Sequence, residues 1–179
     1  MPEEIEVPTE HLHEAMNEAA EHEGGSGFNM RVALSSAIIA VLAAISALMA
    51  GHHANEALLD EISASNTWSY FQSKSIKEAV LKSKVDLISA LGKKQAKEDQ
   101  EKLADYGKEK KEIQEKAEEK EKESAAHLAH HVILARAVTM FQIAIALSAI
   151  SMLTRKKKLW WGSLALGAAG AFFLVTGLI

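Results

Sequence analysis

The sequence predicts an all-α integral membrane protein. Three transmembrane helices carry a long antiparallel, coiled-coil-like helical hairpin between the first and the second. Three observations predict it. Val32–Gly51, Ala137–Leu153 and Leu159–Ile179 are uncharged apolar blocks, each near the roughly 20 residues a helix needs to cross a bilayer core. The stretch between the first two blocks is dense in charged helix formers and holds no proline. A basic knot, Arg155-Lys156-Lys157-Lys158, separates the last two blocks.

Composition narrows the function classes. The chain has 179 residues, 48% of them hydrophobic, and no cysteine, which removes disulfides and thiolate metal sites. A net charge of −4 argues against a nucleic-acid partner. No nucleophile–base arrangement, glycine-rich phosphate loop or paired-carboxylate motif emerges, so an enzyme is not expected.

Residues 1–31 form an acidic tail with eight Glu and one Arg. Thr9 can cap a short helix over Glu10–Glu23, and Gly24-Gly25-Ser26-Gly27 reads as a flexible joint. His11, His13 and His22 lie here, but His11 and His13 would point to different faces of a helix. The tail is acidic where a secretory signal would be basic.

Residues 32–51 are the first expected span. Two stripes of small residues run along it, Ser36, Ala40 and Ala44 beside Ala43, Ala47 and Gly51. Such stripes let helices approach closely in lipid, and they predict contacts between helices or copies.

Residues 52–131 read as the hairpin. Ile76, Val80, Leu87 and Leu91 follow a three–four spacing, and Leu81, Val85 and Ile88 widen the stripe, giving an amphipathic helix with a broad apolar face. Gly92 follows the last apolar residue and signals a helix end, so the turn is expected near residues 92–94. Arms of forty residues (52–91) and thirty-seven (95–131) have matching lengths of roughly 60 and 55 Å; a rival turn at Gly107 would leave them unequal. The apolar seam of the second arm is thin: Leu103, Ile113, Ala117 and Leu128. The broad face of the first arm therefore needs further partners, which predicts self-association. Trp68, Tyr70 and Phe71 gather three aromatics in four residues. They read as an aromatic layer between copies or as a binding surface.

Five histidines are expected at one membrane surface: His52 and His53 leaving the first span, and His127, His130 and His131 entering the second. His127 and His131 have the i, i+4 spacing that can share one ion, so zinc, another transition metal or haem is conceivable, with Glu56 and Glu123 as added ligands. Plain interfacial histidines or a pH-sensing cluster explain the pattern as well, and adjacent histidines on a straight helix do not face one ion.

Residues 132–153 are the second span, 154–158 a basic loop and 159–179 the third span. Arg136 can reach back to the surface or pair with Glu56, and Gln142 is the deeper intramembrane polar residue, suited to a bond across helices. Trp160 and Trp161 read as an interfacial anchor, and Ser163, Gly167 and Ala171 as a third small-residue stripe. The positive-inside rule places the basic loop and the N-terminus in the cytoplasm, and the hairpin and C-terminus in the periplasm. Lys111, Lys116, Lys120 and Lys122 lie near the opposite surface.

The stretch Asn66-Thr67-Trp68-Ser69-Tyr70-Phe71-Gln72-Ser73-Lys74-Ser75-Ile76-Lys77, the span Ala137 to Ile150 and the end Leu153-Thr154-Arg155-Lys156-Lys157 resemble a bacterial membrane-protein family of unknown function, domain of unknown function 4337. The resemblance covers the chain from about residue 30. It implies three spans, a charged helical insert and a bacterial inner-membrane location, and it implies no activity. The expected function is a homo-oligomeric membrane scaffold or interaction protein. A pore assembled from several copies and a metal- or haem-binding membrane protein are the alternatives. The expected partners are the lipid bilayer and further copies of the chain.

Overall fold

The computed structural model describes residues 27–179; the acidic tail, its expected helix and most of its glycine joint lie outside the described residues. Three helices account for nearly everything described: α1 Gly27–Ala90, α2 Lys97–Thr154 and α3 Lys157–Leu178. Each contains a window long and apolar enough to cross a membrane. α1 and α2 run on without interruption from their apolar blocks into their charged arms, through Gly51, Trp68 and Gly107 alike. The span and hairpin boundaries drawn on composition are therefore changes of side chain along continuous helices.

The turn falls where Gly92 predicts it. Gly92 has φ +68°, the left-handed conformation that glycine adopts without steric cost. The Gly92 N–H donates to Ser89 O and the Lys93 N–H to Ile88 O, the paired bonds that close a helix at a left-handed residue. At the other turn, Arg155 has φ +54°, and α3 starts at Lys157. Two residues of the basic knot are thus the first turn of α3, and the connection is shorter than the predicted 154–158. Ser151 Oγ donates to Lys156 O across it.

Backbone packing divides the chain into two compact units. The first takes residues up to Asn55 and from His127 onward, and the second takes Glu56–Ala126. In the first unit the apolar half of α2 is the central helix. Leu134, Ala137, Phe141, Ala144 and Ile145 are fully buried and share one cluster with Ile39, Ala43 and Ala50 of α1 and Leu174 of α3. Close approach is secured by glycine: a Cβ on Gly170 would lie 2.8 Å from the Phe141 ring, and one on Gly177 would lie 2.8 Å from Leu134. The second unit is the antiparallel pair of charged arms.

Candidate functional site

In the first unit, the small residues that read as contacts between copies are largely contacts within one chain. Ser36, Ala43, Ser163 and Gly167 are buried, Ala40, Ala47, Gly51 and Ala171 are half-buried, and Ala44 is exposed. Ser163 Oγ and Ser148 Oγ share a hydrogen bond of 2.6 Å, with both residues fully buried. Trp160 Nε1 donates to Ser35 Oγ at 3.1 Å, and Phe28 meets the Trp160 ring edge-on. Trp160 is thus docked on α1, while Trp161 is exposed. The bonds that cross between helices here run through serines, tryptophan and histidines, whereas Gln142 is half-buried and Arg136 lies on the exposed surface. Sequence reasoning missed Ser148 as a hydrogen-bonding partner. The available signal was a hydroxyl in an apolar span, which must find an acceptor.

The histidines come together only in part. His53 and His127 face each other with 3.0 Å between their Nδ1 atoms, and His130 stacks on His53 at 5.1 Å between centroids. A nitrogen pair at that distance requires one donor and one acceptor, so the two rings present opposite tautomers at this contact. The His52 ring lies 5.5 Å from that of His53 between centroids, while His130 and His131 are held by backbone. His130 Nδ1 lies 2.9 Å from Gly177 O, and His131 Nδ1 lies 2.9 Å from Ala50 O. A carbonyl only accepts, so both nitrogens carry their proton in these bonds. The i, i+4 pair His127 and His131 therefore points to two different partners. Among the described residues, no group of three or more His, Asp or Glu is placed to hold a metal ion.

The second unit places its residues by a heptad rule. Along the arm of α1, the buried or half-buried positions include Ala57, Asp60, Ala64, Thr67, Phe71, Lys74, Glu78, Leu81, Val85 and Ile88, with Glu56, Ser63, Trp68 and Ser75 half-buried at the edges of the row. The row itself recurs at alternating steps of three and four. On α2 the matching positions include Asp99, Leu103, Tyr106, Lys110, Ile113, Ala117, Lys120 and Ser124. Both seams hold the 3.5-residue period of helices that wind around each other.

Much of this seam is charged. Lys120 Nζ bonds Asp60 at 3.1 Å and Glu123 at 2.5 Å. Lys74 pairs with Glu109, Lys110 with Glu78 at 2.7 Å, and Lys84 with both oxygens of Asp99 at 2.9 and 2.8 Å. Ser124 Oγ donates to Ala57 O. The charges act on one another: bonding to Glu123, then to Asp60, raises the pKa of Lys120, and bonding to Glu109 raises that of Lys74. On the surface of α2, Lys102 lowers the pKa of Glu98, and Glu98 raises that of Lys102.

The aromatic patch is divided between the seam and the surface. Trp68 is half-buried and its Nε1 donates to Glu121 at 2.7 Å. The Phe71 ring lies under Lys110 Nζ at 5.2 Å. Both are engaged by the opposite arm. Tyr70 is half exposed and lines a shallow cleft of about 490 Å³ with Leu59, Ile62, Asn66, Ile113 and Lys116.

The broad apolar stripe read from the sequence turns out to be two stripes. Leu81, Val85 and Ile88 face the other arm. Ile76, Val80, Leu87 and Leu91 face away from it, at 65, 65, 63 and 64% exposure. Leu58, Leu59 and Ile62 continue the exposed row.

No curated protein and no solved structure matches the chain. One family model, described as a domain of unknown function, DUF4337, matches residues 28–179.

Proposed function

The chain belongs to the DUF4337 family, whose description carries no activity, and we propose that it works as a self-associating membrane scaffold or interaction protein. The three apolar helices anchor it in a bilayer, and the charged hairpin is the element that engages partners. The observation that carries this reading is the exposed apolar row on the first arm of the hairpin. A unit whose internal seam is already rich in ion pairs leaves Leu58, Leu59, Ile62, Ile76, Val80, Leu87 and Leu91 uncovered. Exposed apolar surface of that extent on one arm supports an interaction surface. The two arms, with their shared 3.5-residue period, form an antiparallel coiled coil. The bilayer is the bacterial inner membrane. The basic knot 155–158 and the N-terminus lie on the cytoplasmic side, and the hairpin and C-terminus lie in the periplasm, as the positive-inside rule assigns them.

The test is the mass of the full chain in detergent micelles, measured by native mass spectrometry. A defined oligomer is expected. A monomer at every concentration would remove the scaffold reading.

A further inference from the structure

We propose that two copies pair through the exposed row of α1, parallel and in register, with Asn66 meeting Asn66 of the second copy. The inference rests on the scaffold reading and names its contact surface. The exposed row follows a heptad of its own. Leu59, Ile62, Ile76, Val80 and Leu87 fall on it, every one of them exposed. The intervening positions are Asn66, Ser69, Ser73, Ser83 and Ala90, also exposed. Ten positions in succession thus keep the three–four alternation over 59–90, outside the seam that α2 fills; at its start Leu59, Ile62 and Asn66 also border the cleft shared with Ile113 and Lys116. A pattern with a period of 3.5 stays on one side of a helix only when that helix is wound to the same period. The inner seam already imposes that winding on the arm.

Two arguments make the occupant a second copy of this chain. The first is chemistry. When two copies of the row run parallel and in register, the apolar layers meet apolar layers, and the amide of Asn66 meets an amide. A single Asn at the first heptad position is the device that selects parallel, two-stranded, in-register pairing over other states. The flanking positions oppose Gln72 to Lys77, Ala79 to Lys84 and Asp86 to Leu91, so no like charges are forced together. The second is area. A row of this length runs about 50 Å, and at a helix width of about 10 Å it covers about 500 Å² per copy. The pair buries about 1,000 Å², the lower bound for a specific interface. The serine layers bring the two backbones close at mid-row.

The chain has no cysteine, which makes the test clean. Ser69→Cys and Ser83→Cys are introduced singly into the full chain, which is then oxidised in detergent micelles and in liposomes. Glu115→Cys, exposed on α2, is the control. Facing positions in such a pair lie within disulfide reach, so both serine variants are expected to give covalent dimer at about tenfold the control yield. A double variant, Ile76→Glu with Val80→Glu, is expected to lose the dimer while keeping its helical circular dichroism. If the native mass still shows an oligomer but neither serine variant cross-links above the control, this contact is overturned and the scaffold reading stands. A monomeric native mass overturns both.

Discussion

The two units hold themselves together by opposite means. In the first, fully buried aliphatic and aromatic side chains pack against glycine and serine, and the polar bonds between helices run through serine, tryptophan and histidine. In the second, the seam between the arms carries Asp60, Lys74, Glu78, Asp99, Lys110 and Lys120, while much of the large aliphatic surface faces outward. On the proposed placement of the first unit in a bilayer and the second in water, the difference follows from solvent. In a bilayer, apolar burial supplies no driving force between helices, so close van der Waals fit has to. In water, the same close fit is unnecessary for a two-stranded pair with charge-assisted bonds across it, which leaves apolar surface of the arm for the proposed second copy.

The sharpest way to break this contrast is to spoil the close fit. A Cβ at Gly170 meets Phe141 at 2.8 Å, and that ring is fully buried, with no free direction to move. Gly170→Val is expected to cost about 3 kcal/mol, at the upper end of the range for overpacking. Thermal unfolding of the full chain in micelles should show it, with Gly162→Ala not destabilised, because nothing lies within 4 Å of its Cβ and alanine favours a helix interior over glycine. Equal melting temperatures for the two variants would mean that the fit of α3 on α2 is not what holds the first unit.

The second unit has two apolar rows on one helix, and they should respond differently. Val85 is 7% exposed against the other arm, whereas Ile76 is 65% exposed. Val85→Ala is expected to cost about 2 kcal/mol through lost burial and the space left behind. Ile76→Ala is expected to change the unfolding of the isolated chain by less than about 0.5 kcal/mol. Hydrogen exchange over 80–120 reads both. Comparable losses of protection would show that the outward row also supports the fold of a single chain.

These two rows also mark where the sequence was legible and where it was not. Hydropathy alone located the three apolar blocks, because a long uncharged run leaves few other readings. The turn was legible because Gly92 stands directly after Leu91 and because the arms on either side match in length. The side to which each aliphatic residue points was not legible. Leu81, Val85 and Ile88 interleave with Ile76, Val80 and Leu87 so closely that one arm, read alone, shows a single broad stripe. What separates them is the other arm, where Asp99, Lys110 and Lys120 recur at the spacing that answers Lys84, Glu78 and Asp60. That correspondence is a property of two segments in antiparallel register, and no local window contains it. The histidines fail as a group for a related reason. Their proximity was legible from the hairpin, but their ring nitrogens are taken up one by one: His53 with His127, His130 by Gly177 O and His131 by Ala50 O. The small residues of the first unit were legible as packing surface, though not as to which helix they pack against.

A smaller effect sits at the turn. Gly92 has φ +68°, and an L-residue there pays about 1 kcal/mol for the left-handed conformation. Gly92→Ala is expected to lower the stability of the second unit by that amount and to leave the first unit unchanged. Nothing lies within 4 Å of the added Cβ, so the cost is conformational, and Gly92→Asn, which tolerates the left-handed region better, should recover part of it. Hydrogen exchange at residues 85–100 is the measurement; no recovery with Asn would point to a different cause.

The least of the expected effects concerns charge on the surface of α2. Lys102 holds the Glu98 carboxylate below its ordinary pKa, first by a hydrogen bond of 2.6 Å and then by its charge. A carboxylate with a depressed pKa in the folded chain stabilises that chain at any pH above its unfolded value of about 4.3. The contribution is lost as pH falls through the folded value, once both states are protonated. Glu98 also stands in the first turn of α2, where a negative charge favours the helix. Glu98→Gln should therefore fray the start of α2 slightly at pH 7 and make no difference in acid strong enough to protonate the carboxylate in both states. The pair is exposed, so added salt should shrink the pH 7 difference. A difference between wild type and Glu98→Gln that persisted undiminished in strong acid would have to come from the amide itself and not from the ion pair. In that case the charges on the outer surface of the hairpin would contribute nothing measurable, and the ion pairs across its seam would be the only ones left to account for how the arms are held.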